Sequence, residues 1–294
     1  MSKIYIAVIL SDYQELGLKR FINHFKLKDR VIIFKYSNDI IKSIKHSKNI
    51  RKKIYKNKYF FLLNFFLFLL RFLFFKKKFI FGDPESRFCN YLSNFISGEN
   101  ITYLDDGTGT LSFNFNNLKN KSTFFTIYDV RLPKNIKKIQ YFPKFKKIKK
   151  KTINKSLLIG APFISRNICS KERFVKIMKI LPKYNNNFYY YPHRFESTEL
   201  KLLPKNFKLL KRALSVEEYL YNYKYNFKAI YAFNSSSITE IVNFYKNEKL
   251  SVFDTSNFFD DTKENTERKR RLKIHLNYLK KLKINIIKLK NTMN

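Results

Sequence analysis

Two adjacent aspartates followed at once by glycine are the first residues that could do chemistry. Asp105 and Asp106 stand in the stretch YLDDGTGT, where Gly107 allows a sharp turn and Thr108 continues a small polar loop. Neighbouring carboxylates could hold a divalent metal, or one could act as a general base while the other sets its pKa and position. The alternative is an aspartate-rich turn with both side chains in water.

A histidine at the end of an apolar stretch in the second half forms the second group. In NFYYYPHRFE, His193 lies between Pro192 and Arg194, and Glu196 follows three residues after the histidine. A cationic imidazole beside an arginine can bind phosphate, and Glu196 could orient the ring. The alternative is an ordinary turn histidine.

A run of serines forms the third group. In AFNSSSITEI, four polar residues stand where an apolar strand pattern gives way to a helical one: Asn234, Ser235, Ser236 and Ser237. Free N–H groups at a helix start, together with hydroxyls, make an anion site. Plain capping needs one serine. Three serines with an asparagine therefore favour phosphate binding.

Two further residues extend this set. Glu218, in LSVEEYL, could accept hydrogen bonds from both ribose hydroxyls of a nucleotide, or it could only begin a helix, where acidic residues suit the dipole. Gly160, in SLLIGAPF, turns the chain after a strand. The sequence contains no Gly-x-Gly-x-x-Gly, no P-loop, no zinc-type Cys/His spacing and no Gly-x-Ser-x-Gly elbow.

These groups follow segments with the pattern of β-strands. Strands are predicted at KIYIAVIL, RVIIFKYS, KFIFGDP and NITYLDDG in the first half, and at SLLIGAPF, NFYYYPHR, KAIYAFNSSS and KLSVFD in the second. Helical patterns lie between them, including one or two helices over about residues 40–75, and a basic helix follows Lys263. Alternating strands and helices predict an α/β fold with parallel sheets, whose ligands bind beyond the carboxyl ends of the strands.

The chain is long enough for two domains. Residues 128–156 are rich in lysine, contain two prolines and lack a clear period, so they are interpreted as the interdomain connection. The sequence therefore predicts two Rossmann-like domains, residues 1–150 and residues 151–294, facing each other across a cleft.

Composition narrows the class of protein. The 294 residues include 60 Lys and Arg against 22 Asp and Glu, a formal net charge of +38, and 45% hydrophobic residues exclude wholesale disorder. An A/T-rich genome would produce this bias, but the charge would still hold the protein near anionic lipid.

The aromatic residues cluster in apolar segments instead of alternating with lysines, so no specific nucleic acid is expected. Cys89 and Cys169 form no disulfide framework or metal spacing, which favours a reducing, cytoplasmic setting.

One apolar segment leaves three alternatives open. Tyr59–Phe75 is interrupted by Asn64 and Arg71 and is flanked by lysines. A spanning helix needs about 20 apolar residues with few charges. The segment could be a helix buried against a sheet, a helix in the membrane interface, or a true span.

In this order, the motifs resemble those of bacterial sialyltransferases, in particular the lipooligosaccharide sialyltransferases of glycosyltransferase family 52 and their polysialyltransferase relatives. LDDGTGT matches the family's acidic-acidic-glycine motif, FNSSS its serine motif, and LLIGAPF the strand and turn that open its second domain. The resemblance covers about Phe81 to Asp254. It departs at His193, which is followed by Arg194 where the family usually has proline.

The resemblance implies a GT-B fold, a CMP-sialic acid donor, inversion at the anomeric carbon and no metal or other cofactor. It implies that residues 1–150 bind a glycan or glycolipid acceptor, such as lipooligosaccharide or capsule, and that residues 151–294 bind the CMP-sugar. Asp106 would be the general base supported by Asp105, with Gly107 and Thr108 in the acceptor-side loop. The residues implied on the donor side are His193, Ser235 and Ser236 at the departing phosphate, Glu218 at the ribose, and Asn234, Ser237, Gly160 and Arg194 around them.

Alternatives remain open at this stage. The donor could be another CMP-activated 2-keto sugar acid such as Kdo, or the chain could be a basic nucleic-acid-binding protein or an inactive relative. The expected location is cytoplasmic and peripheral, on the inner face of the bacterial inner membrane, with an anionic membrane surface as a partner. A homodimer is among the partners that the sequence leaves open.

Overall fold

The computed structural model describes residues 3–36, 50–71, 75–141, 150–193, 195–212, 215–233, 235–243, 245 and 249–290. The chain divides into two compact units, Met1–Phe142 and Pro143–Asn294, and each unit is built on one sheet. Every pairing between neighbouring strands in both sheets is parallel. The predicted α/β class with two parallel sheets is confirmed.

The first unit has a sheet with the strand order β3-β2-β1-β4-β5-β6-β7. Its strands are β1 (Lys3–Ile9), β2 (Arg30–Tyr36), β3 (Ile50–Tyr55), β4 (Lys76–Phe81), β5 (Ile101–Leu104), β6 (Thr123–Thr126) and β7 (Lys137–Gln140), and its helices are α1 (Asp12–His24), α2 (Lys58–Arg71) and α3 (Arg87–Ser93). The strand order reverses between β1 and β4. In open parallel sheets, ligands bind at such a reversal, beyond the carboxyl ends of the strands.

Central strands of the first sheet are apolar on both faces. Ile6, Ala7, Val8 and Ile9 of β1 are fully buried, as expected where helices cover both faces of a parallel sheet. The Ser11 hydroxyl begins α1 by accepting a hydrogen bond from the Gln14 amide over 3.2 Å.

Helix α2 packs one face on this sheet. Phe61, Phe65 and Phe68 are buried, and the rings of Phe65 and Phe68 each lie 5.1 Å from the ring of Phe34 in β2. This face of α2 is therefore buried against the sheet, which was one of the three alternatives for the segment. Among the residues that the structure describes, no helix has both the length and the apolar character needed to cross a membrane.

The second unit has a sheet with the strand order β10-β9-β8-β11-β12-β13. Its strands are β8 (Thr152–Ile159), β9 (Phe188–Tyr191), β10 (Lys208–Leu209), β11 (Asn226–Ala232), β12 (Leu250–Asp254) and β13 (Asn285–Lys288), and its helices are α4 (Lys171–Ile180), α5 (Val216–Asn222), α6 (Ser237–Ile241) and α7 (Lys263–Lys281). Here the order reverses between β8 and β11. The basic helix α7 buries Leu272, Leu276 and Leu279 in the core of this unit.

Two segments differ from the sequence-based expectation. Part of the region predicted as one or two helices, about residues 40–75, is the strand β3, while α2 forms as a helix and residues 37–49 lie outside the described residues. Strand β7 lies within residues 128–156, which were expected to be a connection without regular structure. Both strands are sheet edges with exposed lysines, and this composition masks the apolar pattern of a strand.

Candidate active site

The two aspartates follow β5 directly, so they lie on the carboxyl edge of the first sheet, where its parallel strands end. Asp105 is buried, and its Oδ2 accepts a hydrogen bond from the Ile127 amide over 2.9 Å. Burial raises the pKa of this carboxyl group, while the Ile127 amide, the charge of Arg20 and the Tyr13 and Thr126 hydroxyls act in the opposite direction. Asp105 therefore ties the end of β5 to the residue that follows β6.

Asp106 has the opposite environment, because it is exposed. Its Oδ1 accepts a hydrogen bond from Gln14 Nε2 over 2.8 Å, and its amide donates to Thr110 Oγ1 over 2.9 Å. Gly107 has a φ of 62°, in the left-handed region that favours glycine. A 3₁₀ turn over Gly107–Ser112 follows, and it includes Thr108.

Gln14 is a site residue that the sequence did not predict. It lies in the first turn of α1, is buried, and accepts a hydrogen bond from the Leu10 amide through its Oε1 over 2.7 Å. A Cβ on Gly82, at the end of β4, would lie 2.7 Å from this same Oε1. Only glycine at position 82 therefore leaves room for the Gln14 side chain, whose Oε1 is held by the Leu10 amide and whose Nε2 is directed at Asp106.

Asp83 is a third carboxylate at this edge. It follows Gly82 and its Oδ1 accepts a hydrogen bond from the Glu85 amide over 2.8 Å. Burial raises the pKa of Asp83, and the charge of Asp106 raises it further. The two carboxylates thus repel each other electrostatically. The sequence offered a signal for it, because GDP follows a predicted strand at the same edge.

In the second unit, the predicted residues follow three neighbouring strands. Gly160 follows β8, His193 follows β9 after one proline, and Ser235–Ser237 follow β11. The last residues of these strands are in register, because Ile159 pairs with Tyr191 on one side and with Ala232 on the other. The predicted donor-side residues therefore share the carboxyl edge of the second sheet, around its reversal point.

His193 is held by its own loop. Its backbone amide donates to Glu196 Oε2 over 2.7 Å, and the Phe195 amide donates to His193 Nδ1 over 3.3 Å. Because Nδ1 accepts, the neutral ring carries its proton on Nε2 and can donate from there. Glu196 was expected to orient the His193 ring. In the structure its Oε2 accepts from the backbone amide of His193 and so fixes the backbone there.

Glu196 is itself buried beneath Gly160. Tyr190 Oη donates to Glu196 Oε1 over 2.6 Å, and burial is the main cause that raises the pKa of Glu196 to about 8. A Cβ on Gly160 would collide with Tyr190 Oη and lie 2.5 Å from Glu196 Oε2. Only glycine therefore fits between β8 and this pair.

The serine run is less tightly bonded than a plain helix cap. Ser236 occupies the N-cap position of α6, but its side chain makes no capping hydrogen bond. The Ser237 amide donates to Ser235 Oγ over 3.3 Å, and all three serines are half-buried. The Ser236 hydroxyl is therefore not used for capping, and phosphate binding by the serines stays a prediction.

Glu218 lies in the first turn of α5, whose N-cap residue is Ser215. The Ser215 hydroxyl accepts from the Glu218 amide over 3.2 Å and donates to Glu218 Oε2 over 3.5 Å. The structure thus gives Glu218 the helix-starting position that was one of its two alternatives. Its role at a ribose stays a prediction.

A second charged loop lies beside His193. Glu199 is fully buried and accepts from the Ile164 and Ser165 amides over 2.8 and 2.9 Å, and from Ser165 Oγ over 2.7 Å. Burial acts to raise the pKa of Glu199, but these hydrogen bonds outweigh it and lower the pKa. Next in the chain, the Arg166 guanidinium carbon lies 4.0 Å from the centre of the Phe195 ring, which is itself 5.6 Å from the His193 ring. No sequence motif singled out Arg166 or Glu199.

Comparison of the sequence with protein-family models and with curated proteins gives no match. Among solved structures, the chain is similar to an α/β-galactoside α-2,3-sialyltransferase from the luminous marine bacterium Photobacterium phosphoreum, with a TM-score of 0.58 and 11% identity over 97% of this chain and 98% of that one. The chain has the GT-B fold. At this identity the similarity establishes the fold and not the substrate.

Two further GT-B neighbours have lower scores. MurG from Acinetobacter baumannii gives a TM-score of 0.48 and 10% identity over 100% of this chain and 88% of that one. The lipopolysaccharide outer core galactosyltransferase WaaB gives 0.43 and 12% over 86% of this chain and 81% of that one. The structural neighbours are thus glycosyltransferases, and one of them is a bacterial sialyltransferase.

Within the GT-B fold, the predicted site residues form two groups. Asp105, Asp106, Gly107 and Thr108 lie at the carboxyl edge of the first sheet. Those at the carboxyl edge of the second sheet are Gly160, His193, Glu218, Ser235, Ser236 and Ser237, while Arg194 and Asn234 lie outside the described residues. Across the described ranges, no group of three or more His, Cys, Asp and Glu residues could hold a metal ion.

Proposed function

We propose that the chain is an inverting glycosyltransferase that moves sialic acid from CMP-sialic acid to a cell-surface glycan, such as lipooligosaccharide or capsule. One observation carries the proposal. The motifs of the sialyltransferase resemblance, although distant in sequence, all fall on the carboxyl edges of two parallel sheets of a GT-B fold. Asp106 lies on the first edge, and Gly160, His193 and the serines lie on the second.

Asp106 would act as the general base. Its carboxylate is exposed, and Gln14 holds one oxygen through a bond of 2.8 Å. This exposed carboxylate would take the proton of an acceptor hydroxyl while the hydroxyl oxygen attacks the anomeric carbon. In a single displacement, the new glycosidic bond forms on one face of the sugar as the bond to the phosphate oxygen breaks on the other, which inverts the configuration.

The second unit would stabilise the departing CMP. Negative charge grows on its phosphate as the bond to the sugar breaks, and donors already in place lower the barrier. His193 would donate from Nε2, because its Nδ1 accepts from the Phe195 amide. The hydroxyls of Ser235 and Ser236 would add two donors, and Arg166 would add a positive charge beside the His193 loop.

The remaining donor-side residues would shape the nucleotide site. Gly160 would act through its neighbours, because its lack of a side chain makes room for Glu196, whose Oε2 accepts from the His193 amide. Glu218 Oε2 accepts one long hydrogen bond from the Ser215 hydroxyl, and the carboxylate would also accept from the ribose hydroxyls. No metal is required, because His193, Arg166 and the hydroxyls would meet the phosphate charge.

Mass spectrometry of the reaction product tests this function. The protein is incubated in EDTA with CMP-N-acetylneuraminic acid and galactose-terminated oligosaccharides, and parallel samples receive CMP-Kdo. We expect an acceptor mass increased by one sialyl residue, in the α-anomeric form by NMR. Transfer from CMP-Kdo alone would replace the donor in the proposal, and absence of transfer from either donor to any acceptor would contradict it.

A further inference from the structure

The outward face of α2 is the largest concentration of exposed apolar side chains in the described residues. Of the 13 large hydrophobic side chains that are exposed there, eight lie between Ile54 and Phe75. Six of them are on α2 itself and are 44–81% exposed: Tyr59, Phe60, Leu63, Phe66, Leu67 and Leu70. Isolated exposed apolar residues are common, but a set of this size marks an interaction surface.

These six residues form one continuous stripe. At about 100° per residue they fall within roughly a third of the helix circumference, opposite Phe61, Phe65 and Phe68, which pack on the sheet. The neighbouring helix α3 packs against α2 through Phe88, whose ring lies 5.4 Å from Phe61 and from Phe65. Two more exposed aromatic side chains are Tyr91 of this helix and Phe95, which follows its end.

The charged residues of the segment that carries the stripe all have one sign. Between Ile50 and Gly82 the chain contains nine Lys and Arg residues and no Asp or Glu. Lys56 and Lys58 stand at the start of α2, Arg71 ends it, and Lys76 begins the next strand, all of them exposed. An apolar stripe bordered by cations complements a surface that offers hydrocarbon below a layer of anionic groups.

We propose that the outward face of α2 binds an anionic lipid bilayer, with the helix lying in the plane of the interface. The helix has 14 residues, about 21 Å of length, which is too short for the hydrocarbon core of about 30 Å. Lying flat, it buries the stripe among the acyl chains while the flanking lysines and Arg71 contact the headgroups. A second copy of the chain fits less well, because it would bring the same cations against these.

Vesicle co-sedimentation of the full chain tests the proposal. Vesicles of phosphatidylcholine alone are compared with vesicles that also contain phosphatidylglycerol, at low and high salt. The test variant carries Phe60→Ser, Leu63→Gln and Leu70→Gln, which change only exposed positions. The matched control carries Tyr184→Gln and Leu209→Gln, two exposed apolar side chains of the second unit. A charge variant carries Lys56→Gln, Lys58→Gln and Arg71→Gln.

We expect the wild type to bind anionic vesicles, the α2 variant to lose about tenfold or more in partitioning, and the control to stay within about twofold of the wild type. The charge variant should also bind more weakly, most clearly at low salt. Equal binding by the α2 variant and the wild type would overturn the proposal, because charge alone would then explain binding. A shift from dimer to monomer in the α2 variant by light scattering, with no vesicle binding by the wild type, would assign the stripe to a second copy instead.

Discussion

Gln14 and Asp106 are 92 positions apart in the sequence, yet Gln14 Nε2 donates to Asp106 Oδ1 over 2.8 Å. The same side chain accepts from the Leu10 amide, so β1 and α1 together orient the exposed carboxylate at the end of β5. Asp105, its neighbour, points into the unit and binds the Ile127 amide. One aspartate of the pair is thus exposed to solvent, where it would meet a substrate, and the other holds the turn.

Replacing Asp106 should abolish transfer, while replacing Asp105 should not. Asp106→Asn removes the proposed base, so we expect kcat to fall by about 10²–10⁴-fold. Asp105→Asn keeps an oxygen that can accept from Ile127 and removes a buried charge, so kcat should stay within about tenfold of the wild type. Steady-state kinetics on both variants, with circular dichroism to establish folding, checks this pair. Equal losses in both would contradict the assigned roles.

Gln14→Glu should change the pH dependence of the reaction. Glutamate can still accept from the Leu10 amide, but it no longer donates to Asp106 and brings a like charge against it. We expect kcat to fall by about 10- to 100-fold at neutral pH, the cost of a lost bond to a charged group. The acid limb of the pH–rate profile should move to higher pH, because the base would hold its proton more tightly. A uniform loss at every pH would indicate a purely structural role for Gln14.

Arg166→Ala should weaken use of the donor. Loss of a cation near the phosphate should lower kcat/KM for the CMP-sugar by about 10- to 100-fold and leave KM for the acceptor unchanged. Lys179→Ala, at an exposed position on α4, is the matched control for a general change in charge. If both variants lower kcat/KM equally, long-range attraction would account for the effect and Arg166 would have no contact with the donor.

Glu196 should make the protein less stable as the pH rises. Its folded pKa of about 8 exceeds its ordinary value of 4.5, so between these values the folded protein keeps a proton that the unfolded chain has released. The free energy of unfolding should therefore fall through this window by up to about 1.4 kcal/mol for each pH unit, a few kcal/mol in all.

The variant Glu196→Gln isolates this contribution, since glutamine can bond to both the Tyr190 hydroxyl and the His193 amide. Its free energy of unfolding, from urea titrations across the window, should lack the decline seen in the wild type. His275, whose pKa burial lowers to about 4, produces the opposite slope below its ordinary value of 6.5, but it is present in both proteins. Parallel curves for the two proteins would show that Glu196 does not carry the proton.

Gly160→Ala should destabilise the second unit. The added methyl group would collide with the Tyr190 hydroxyl and the Glu196 carboxyl group, and overpacking of this kind costs about 1–3 kcal/mol. Adding Tyr190→Phe removes the nearest atom, so the double variant should recover part of the loss. Thermal unfolding of the three variants, with Tyr190→Phe alone as reference, measures the coupling. Additive effects would mean that the two side chains do not meet.

Most of the strands inside the two sheets could be predicted from the sequence, and the edge strands could not. Apolar runs at β1, β2, β4 and β5 mark strands buried on both faces. The strands without such a prediction include all four sheet edges, β3, β7, β10 and β13, together with β6. Edge strands are short and carry lysines towards solvent, so their pattern resembles that of a loop.

In the candidate site, too, some features follow from neighbouring residues in the sequence, and others depend on contacts between residues that are far apart in it. The strand-end positions of Asp106, His193 and the serines follow from patterns within about ten residues of each. The contrast between Asp105 and Asp106 depends on Ile127 and Gln14, which come from other strands and helices. The stacking of Arg166 on Phe195 likewise joins two separate loops, and no local spacing encodes it.

Release of CMP from CMP-N-acetylneuraminic acid, with and without a galactose-terminated acceptor and in EDTA, is the most direct measurement of the central claim. We expect rapid release that requires the acceptor, that persists without metal and that Asp106→Asn abolishes. No release under any condition, together with no change in thermal stability on adding CMP, would contradict the claim that this GT-B protein is a sialyltransferase.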